Sequence, residues 1–213
     1  TSVGGKETLE SKYPLPEEAY PSQLSEQEPN KISLQFTKGE LSGIDGKQMD
    51  AISAIQVLNQ IASSYAIGRD IHVGDSIIGI KGRVGFEAAA PLLIIKAHHL
   101  LEKHTLSKWQ QQQKEQLASF YGMHLHEGHY LDPVLRDIEA FMESSQKMVT
   151  GTVFITLHPY RFTLDGIESA HDLMYSSFGS YGEMNRNWAS EDAKGFITVT
   201  ANATKIYNHV NNS

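Results

Sequence analysis

The spacing of apolar residues changes abruptly between two neighbouring segments, and this change constrains the fold more than any other feature of the chain. In KISLQFTKG, residues 31–39, apolar and polar side chains alternate, which predicts a strand with one buried face. From Met49 the apolar residues recur at helical spacing, which predicts an amphipathic helix that Gly68 can end. A chain that combines both periods must pack helices against a sheet.

The remaining segments continue this mixture. Asp45-Gly46 is typical of a tight turn and predicts a second strand beside the first. Because no regular strand–helix–strand rhythm appears, we expect an α+β fold, with a mixed and largely antiparallel sheet packed against several helices. The predicted strands are 31–39, 40–48, 69–83 (a pair broken at Gly74-Asp75), 150–159 and 160–166; the predicted helices begin near Met49, near Pro91, after the capping residue Asp132 and near Ser190 as a cap, and one covers about 105–121.

Residues 1–30 differ from the rest in composition. They hold four of the seven prolines together with many acids and serines, and they are too polar to fold alone, so we expect an extended arm over a surface. The chain starts at Thr1 without a methionine or an apolar or basic leader. We therefore expect a fragment of a longer polypeptide or a processed product.

Overall composition excludes several functions. A net charge of −7 leaves no basic surface, so neither a nucleic acid nor an anionic membrane is an expected partner. With no cysteine the chain has no disulfide, thiolate ligand or cysteine nucleophile, which agrees with a reducing compartment. Its longest apolar run is far shorter than the roughly 20 residues of a membrane span.

Histidines form the most conspicuous cluster of possible metal ligands. In HLHEGH, residues 124–129, His124, His126 and His129 surround Glu127, and imidazoles with a nearby carboxylate suit a zinc centre. The helical HExxH order is absent, however, and on a strand or loop only two of the three histidines would share a face. We expect surface histidines near a turn and no metal site.

Two other histidines are adjacent on a predicted helix. Neighbouring helical positions point about 100° apart, so at most one of His98 and His99 can face a given site. We expect both to serve packing or an interface.

The stretch GRVGFEAAAPLLIIKAHH, from Gly82, places two charged residues among small ones. Arg83 and Glu87 could hold a ligand at a strand-to-helix junction where the backbone can approach closely. They could equally be turn charges that face water, since a carboxylate just before a helix is stabilised by the helix dipole whatever its function.

Four segments together resemble the C-terminal synthetase domain of argininosuccinate synthase. The resemblance spans essentially the whole chain. Its segments are TSVGGKETLES (1–11), GRDIHVGDSIIGIKGRVGFEAAAPLLIIKAHHLLEK (68–103), LDPVLRDIEAFMESSQKMVTG (131–151) and DAKGFI (192–197).

This resemblance implies an ATP-dependent carbon–nitrogen ligase. In the family, the ureido oxygen of citrulline is adenylylated, pyrophosphate leaves, and the aspartate amino group attacks to give argininosuccinate. ATP with Mg²⁺ is bound by an N-terminal domain with an SGGxDxS loop, which this chain lacks. The resemblance thus implies a cytoplasmic homotetramer in which this chain binds no cofactor and contributes no catalytic residue: 1–30 would lead from the N-terminal domain, 31–190 would form the synthetase domain, and 190–213 would form a helix that reaches a neighbouring subunit.

The resemblance also implies substrate-binding positions. Ser2 matches a serine that contacts citrulline, and Ser11 is the best match for the second contact of that loop. The family block over 73–87 reads like VENRFIGMKSRGIYE, whose first glutamate binds the citrulline amino group and whose tyrosine contacts the ligand. This chain has Gly74 and Phe86 at those two positions.

A glycine cannot pair with a buried ammonium. Three alternatives follow: Asp75 takes over, another chain meets the ammonium, or the substrate is an N-acylated citrulline whose amine is uncharged. The resemblance places Arg83 and Glu87 at a substrate-facing junction, with a scaffold role for Arg83 equally open. A function of another class is also open, namely a non-catalytic assembly or ligand-binding module that kept the fold without the nucleotide half.

Overall fold

A computed structural model describes residues 2–3, 11–179, 181–182 and 187–212. The chain forms two compact units, Thr1–Asp172 and Leu173–Ser213. Within the described residues, no helix is both long enough and apolar enough to cross a membrane.

The first unit combines antiparallel strands with four helices in its described part. The strands are β1 (Ser2–Val3), β2 (Asn30–Thr37), β3 (Glu40–Ile44), β4 (Lys47–Gln48), β5 (Arg69–Asp75), β6 (Lys81–Glu87), β7 (Gly151–His158) and β8 (Arg161–Glu168). The helices are α1 (Ala51–Ser63), α2 (Ala89–Thr105), α3 (Lys108–His126) and α4 (Pro133–Gln146). The predicted α+β class is confirmed.

The larger sheet is antiparallel, with strand order β4–β3–β2–β7–β8. Two tight turns connect β2 to β3 and β3 to β4 in this sheet. Lys38 and Gly39 have φ of 52° and 85°, and Asp45 and Gly46 have φ of 51° and 75°. Paired positive φ angles match the right-handed twist of a hairpin, which is why Asp-Gly and similar pairs occur there. The predicted turn at Asp45-Gly46 is confirmed; it joins β3 to β4.

The hydrophobic core lies between this sheet and helices α1 and α2. Alternation along β2 buries Ile32, Leu34 and Phe36, as predicted. Leu58 of α1 and Leu93 of α2 are buried in the same core. Asp132 caps α4 by accepting a hydrogen bond from the Val134 N–H at 3.0 Å, which confirms the predicted helix start.

The smaller sheet has the strand order β1–β6–β5. Gly74 pairs with Gly82 and Asp75 with Lys81, so the predicted break at Gly74-Asp75 is wrong. The chain reverses at 76–80 instead, where Gly79 has φ of 79°. Cross-strand pairing over the whole of β5 outweighs the local turn preference of a Gly-Asp pair.

Two helix boundaries also differ from the sequence-based expectation. Helix α1 ends at Ser63, and the chain reaches β5 through Ala66 and Gly68, with φ of 54° and 86°. Helix α3 runs to His126 rather than to about residue 121, because no glycine in a left-handed conformation interrupts it until Gly128, where φ is 82°.

The second unit contains α5 (Ser190–Thr200) and α6 (Asn202–Asn211), so the predicted last helix is interrupted at Ala201. Ser190 is not the cap: Ala189 is the capping position, and its N–H donates to Asp192 Oδ2 at 2.8 Å. Many apolar side chains of this unit are exposed, among them Phe196, Ile197, Val199, Ile206, Tyr207 and Val210. Contact of this segment with a neighbouring subunit stays a prediction, as do the predicted divisions at residues 30 and 190.

Candidate functional site on the smaller sheet

The register of the smaller sheet divides the predicted site residues between its two faces. Ser2 is paired with Phe86, and Gly74 with Gly82. Because directly opposed residues share a face and successive residues alternate, positions 2, 74 and 86 belong to one face, which we call the ligand face. Of the remaining predicted residues, Asp75, Arg83 and Glu87 belong to the opposite face.

Glu87 is buried and holds the N-terminal arm. Its Oε2 lies 3.4 Å from Arg69 Nε and accepts a hydrogen bond from the Ser22 N–H at 3.4 Å. The Arg69 guanidinium also donates to Glu17 at 2.5 Å and packs 4.6 Å from the Tyr20 ring. These contacts fix arm residues 17–22 against the sheet, so a structural role accounts for the burial of Glu87. Sequence reasoning missed Arg69, whose partners are distant in the chain.

Arg83 also contacts the arm. Its Nη2 donates to the Tyr13 carbonyl at 2.7 Å. This contact supports the scaffold role left open for Arg83. The predicted substrate contacts of Arg83 and Glu87 stay predictions.

Asp75 pairs with a cation across the two strands. Its Oδ1 accepts from Lys81 Nζ at 2.8 Å, and both side chains are mostly exposed. Asp75 and Gly74 are adjacent, so their positions point to opposite faces of the sheet. Ser11 lies in an exposed turn where the described arm begins. Residues 4–10, which complete the TSVGGKETLES segment, are outside the described residues.

On the ligand face, a histidine lies against the bare backbone of Gly74. A Cβ atom added to Gly74 would lie 2.5 Å from His72 Nε2. Sequence reasoning missed His72, although its spacing of two residues from Gly74 on a strand placed both on one face. A groove of about 670 Å³ opens here; it is lined by His72, Gly74, Asp75, Ser76, Ile78, Ile80, Lys81, Gly82, Val84, Met123 and His126.

The histidine cluster at 124–129 begins in the last turn of α3 and continues through the turn at Gly128. His126 and His129 are exposed, as predicted for surface histidines near a turn. The His124 ring packs 4.0 Å from that of Phe120 and 5.7 Å from that of His129. Among the described residues, no group of three or more histidine, aspartate and glutamate side chains is arranged to hold a metal ion.

His98 serves packing, as predicted. Its ring lies 5.4 Å from that of Phe36, and its Nε2 lies 3.0 Å from Gln146 Oε1. Burial lowers the pKa of His98 below its ordinary value, although Glu102, whose Oε1 is 3.6 Å from His98 Nδ1, opposes this effect. Burial also lowers the pKa of His99.

The architecture is that of an antiparallel α+β domain with a groove of about 670 Å³ beside its smaller sheet. Comparison with known proteins identifies its family. The family model described as "Arginosuccinate synthase C-terminal domain" matches residues 8–207, and the chain belongs to this family. The predicted resemblance is confirmed.

Full-length relatives agree with this assignment. The chain is 32% identical over 198 residues to the argininosuccinate synthase of Xylella fastidiosa, an alignment that covers 93% of the chain and 48% of the relative. It is 34% identical over 180 residues to that of Xanthomonas campestris (84% and 45%). It is 35% identical over 193 residues to that of Dictyoglomus turgidum (90% and 48%). The chain therefore spans about half the length of the curated relatives that it matches.

Proposed function

We propose that this chain is the substrate-binding and oligomerisation part of an argininosuccinate synthase. The complete enzyme condenses citrulline, or a derivative of it, with aspartate, uses ATP, and releases argininosuccinate, AMP and pyrophosphate. The observation that carries this proposal is the ligand face: within a chain of this family, the register brings together positions 2, 74 and 86, three positions that the resemblance assigns to citrulline.

We propose that ATP with Mg²⁺ is bound outside this chain. The sequence lacks SGGxDxS, and the described residues hold no cluster of acidic and histidine side chains suited to a metal ion. We assign the nucleotide to the remainder of the full-length protein and derive no step through it. The role of this chain is to bind and orient the citrulline end of the reaction, which lowers the entropic cost of bringing two substrates together.

The binding groups are those of the ligand face. A serine hydroxyl at position 2 can donate to a ligand carboxylate or accept from an amine. Phe86, half-buried on the same face, offers a ring edge or face to the ligand where the family has a tyrosine. Ser11, Asp75, Arg83 and Glu87 remain proposed contacts, although Glu87 and Arg83 also hold the arm.

The exposed apolar side chains of α5 and α6 support the oligomerisation role. Clusters of large exposed apolar residues often mark surfaces that contact another protein. We propose that these helices contact a neighbouring subunit in a homotetramer, and that the enzyme acts in the cytoplasm.

The experiment is an activity assay of the full-length protein with ATP, aspartate and citrulline or N-acylated citrulline. We expect pyrophosphate and the condensation product to form in equal amounts, and we expect omission of aspartate to abolish the product. Ser2→Ala should raise the KM for the citrulline substrate, whereas Ser63→Ala on α1, away from the ligand face, should not. Absence of both products with every citrulline form would refute the proposal and favour a non-catalytic module.

A further inference from the structure

The imidazole of His72 occupies the space that a side chain at position 74 would need. The two residues are two positions apart on β5 and share the ligand face. A Cβ atom at Gly74 would lie 2.5 Å from His72 Nε2, which is far inside van der Waals contact. A longer side chain at position 74 is therefore compatible with this sheet only if His72 turns away.

The nearby acidic residues are poorly placed to supply a carboxylate at this point. Asp75 is the only acid among the described residues that line the groove; its position belongs to the opposite face, and it pairs with Lys81 at 2.8 Å. Asp70 belongs to the ligand face, but it lies four residue steps from Gly74 along the strand, a Cα–Cα separation of about 13 Å. The group beside Gly74 is thus an imidazole, which is neutral or cationic and never anionic.

The walls next to His72 are largely apolar. Val84, Ile78, Ile80 and Met123 line the groove of about 670 Å³ that continues from His72. An ammonium placed here would find Asp75 as the one carboxylate among the described residues that line the groove, and that carboxylate is already paired with Lys81. An amide in the same place carries no charge, its carbonyl oxygen can accept a hydrogen bond from an imidazole N–H, and its acyl carbons can pack on the apolar wall.

We propose that His72 is a specificity-determining residue that selects a citrulline whose amino group is acylated. This inference rests on the proposed function and adds to it the identity of the residue and the chemical class of the substrate. His72 donates a hydrogen bond to the acyl carbonyl, and Gly74 leaves room for the imidazole to lie over the strand.

The test is a set of titrations of the full-length protein, in the presence of a non-hydrolysable ATP analogue, with citrulline, N-acetylcitrulline and N-succinylcitrulline. We expect the unaltered protein to bind the N-acyl forms more tightly than citrulline. His72→Ala should weaken binding of the N-acyl forms about tenfold, as expected for one lost hydrogen bond. In the double variant His72→Ala/Gly74→Glu, the new glutamate supplies the carboxylate found in the family, and the loss of the imidazole leaves space for it. We expect this variant to bind citrulline more tightly than the N-acyl forms.

Val73→Ala is the matched control, since Val73 is adjacent to His72 but belongs to the opposite face; it should leave the preference unchanged. A preference of the unaltered protein for citrulline, with pyrophosphate formed from it, would overturn this inference while the proposed function stands. Loss of binding in Asp75→Asn but not in His72→Ala would also overturn it, in favour of Asp75. Failure to bind any form and to release pyrophosphate would overturn both proposals.

Discussion

Arg69 and Glu87 form an ion pair across the smaller sheet in which the two side chains are only 9% and 7% exposed, with Arg69 Nε 3.4 Å from Glu87 Oε2. The same guanidinium contacts Glu17, Ser22 and the ring of Tyr20, so one side chain joins the N-terminal arm to the strands that carry the ligand face. This cation therefore attaches the arm to the start of β5 and the end of β6.

Arg69→Ala should destabilise the full-length protein by about 3 kcal/mol, because it removes a buried cation that pairs with the buried Glu87 carboxylate. The measurement is the shift in thermal unfolding, combined with the rate of proteolytic cleavage near residues 13–26. Lys81→Ala removes a cation from a solvent-exposed ion pair with Asp75 and should cost less than about 1 kcal/mol. Equal effects of the two variants would show that Arg69 is not the anchor of the arm.

Leu93→Ala should cost about 3 kcal/mol of stability, since Leu93 is fully buried between α2 and the larger sheet and its truncation leaves a cavity. Ile95→Ala on the same helix is the control: Ile95 is 52% exposed, and its truncation should cost less than about 1 kcal/mol. Denaturant midpoints of the two variants give the comparison. A small effect at Leu93 would contradict the described packing of α2.

Gly68→Ala and Gly122→Ala should change stability in opposite directions. Gly68 has φ of 86°, and an added Cβ would lie 2.6 Å from the Ala88 backbone, so alanine should destabilise by about 2 kcal/mol or more. Gly122 lies within α3 with open space around it, where alanine should stabilise by about 1 kcal/mol. Thermal unfolding of both variants measures this, and the same sign for both would be contrary to the structure.

The stability of the fold should decrease as the pH falls below about 6.5, the ordinary pKa of histidine. Burial lowers the pKa of His98 in the folded state, so between that lowered pKa and the ordinary one the unfolded chain binds more protons than the folded chain. Stability therefore rises with pH through this window, by at most about 1.4 kcal/mol per pH unit for one group.

The corresponding measurement is the urea midpoint at pH 7.5 and pH 5.5. The difference should be smaller in His98→Gln than in the unaltered protein. His99 contributes in the same direction, so His98→Gln should reduce the pH dependence without removing it. A pH dependence that His98→Gln does not alter would exclude His98 as a source.

Local sequence signals predicted the elements whose own residues decide their structure. Alternation along β2 predicted which face of this strand is buried, and Asp132 predicted where α4 begins. Both signals depend only on residues that are close together in the sequence. The turn at Asp45-Gly46 was predicted for the same reason: its left-handed backbone is a property of the pair itself.

Features that depend on distant residues could not be predicted in this way. The predicted break at Gly74-Asp75 was wrong because the chain turns later, at 76–80. Strand β6 then pairs with β5 along its whole length, as far as Asp75. The burial of Glu87 depends on Arg69, 18 residues away, and on Ser22, 65 residues away. The division of the site residues between two faces required the pairing register. Period and composition did not indicate the family; the quoted sequence blocks did.

The alternation of β5 also determines which changes the site can tolerate. We expect that residues added to or removed from the turn at 76–80 leave the ligand face unchanged, because the strand before the turn keeps its pairing. A single insertion or deletion within 70–74 would instead exchange odd and even positions and bring Val73 and Asp75 to that side in place of His72 and Gly74. If the proposed function holds, substitutions at even-numbered positions of this strand will change substrate preference, whereas a change of length will be tolerated at its tip.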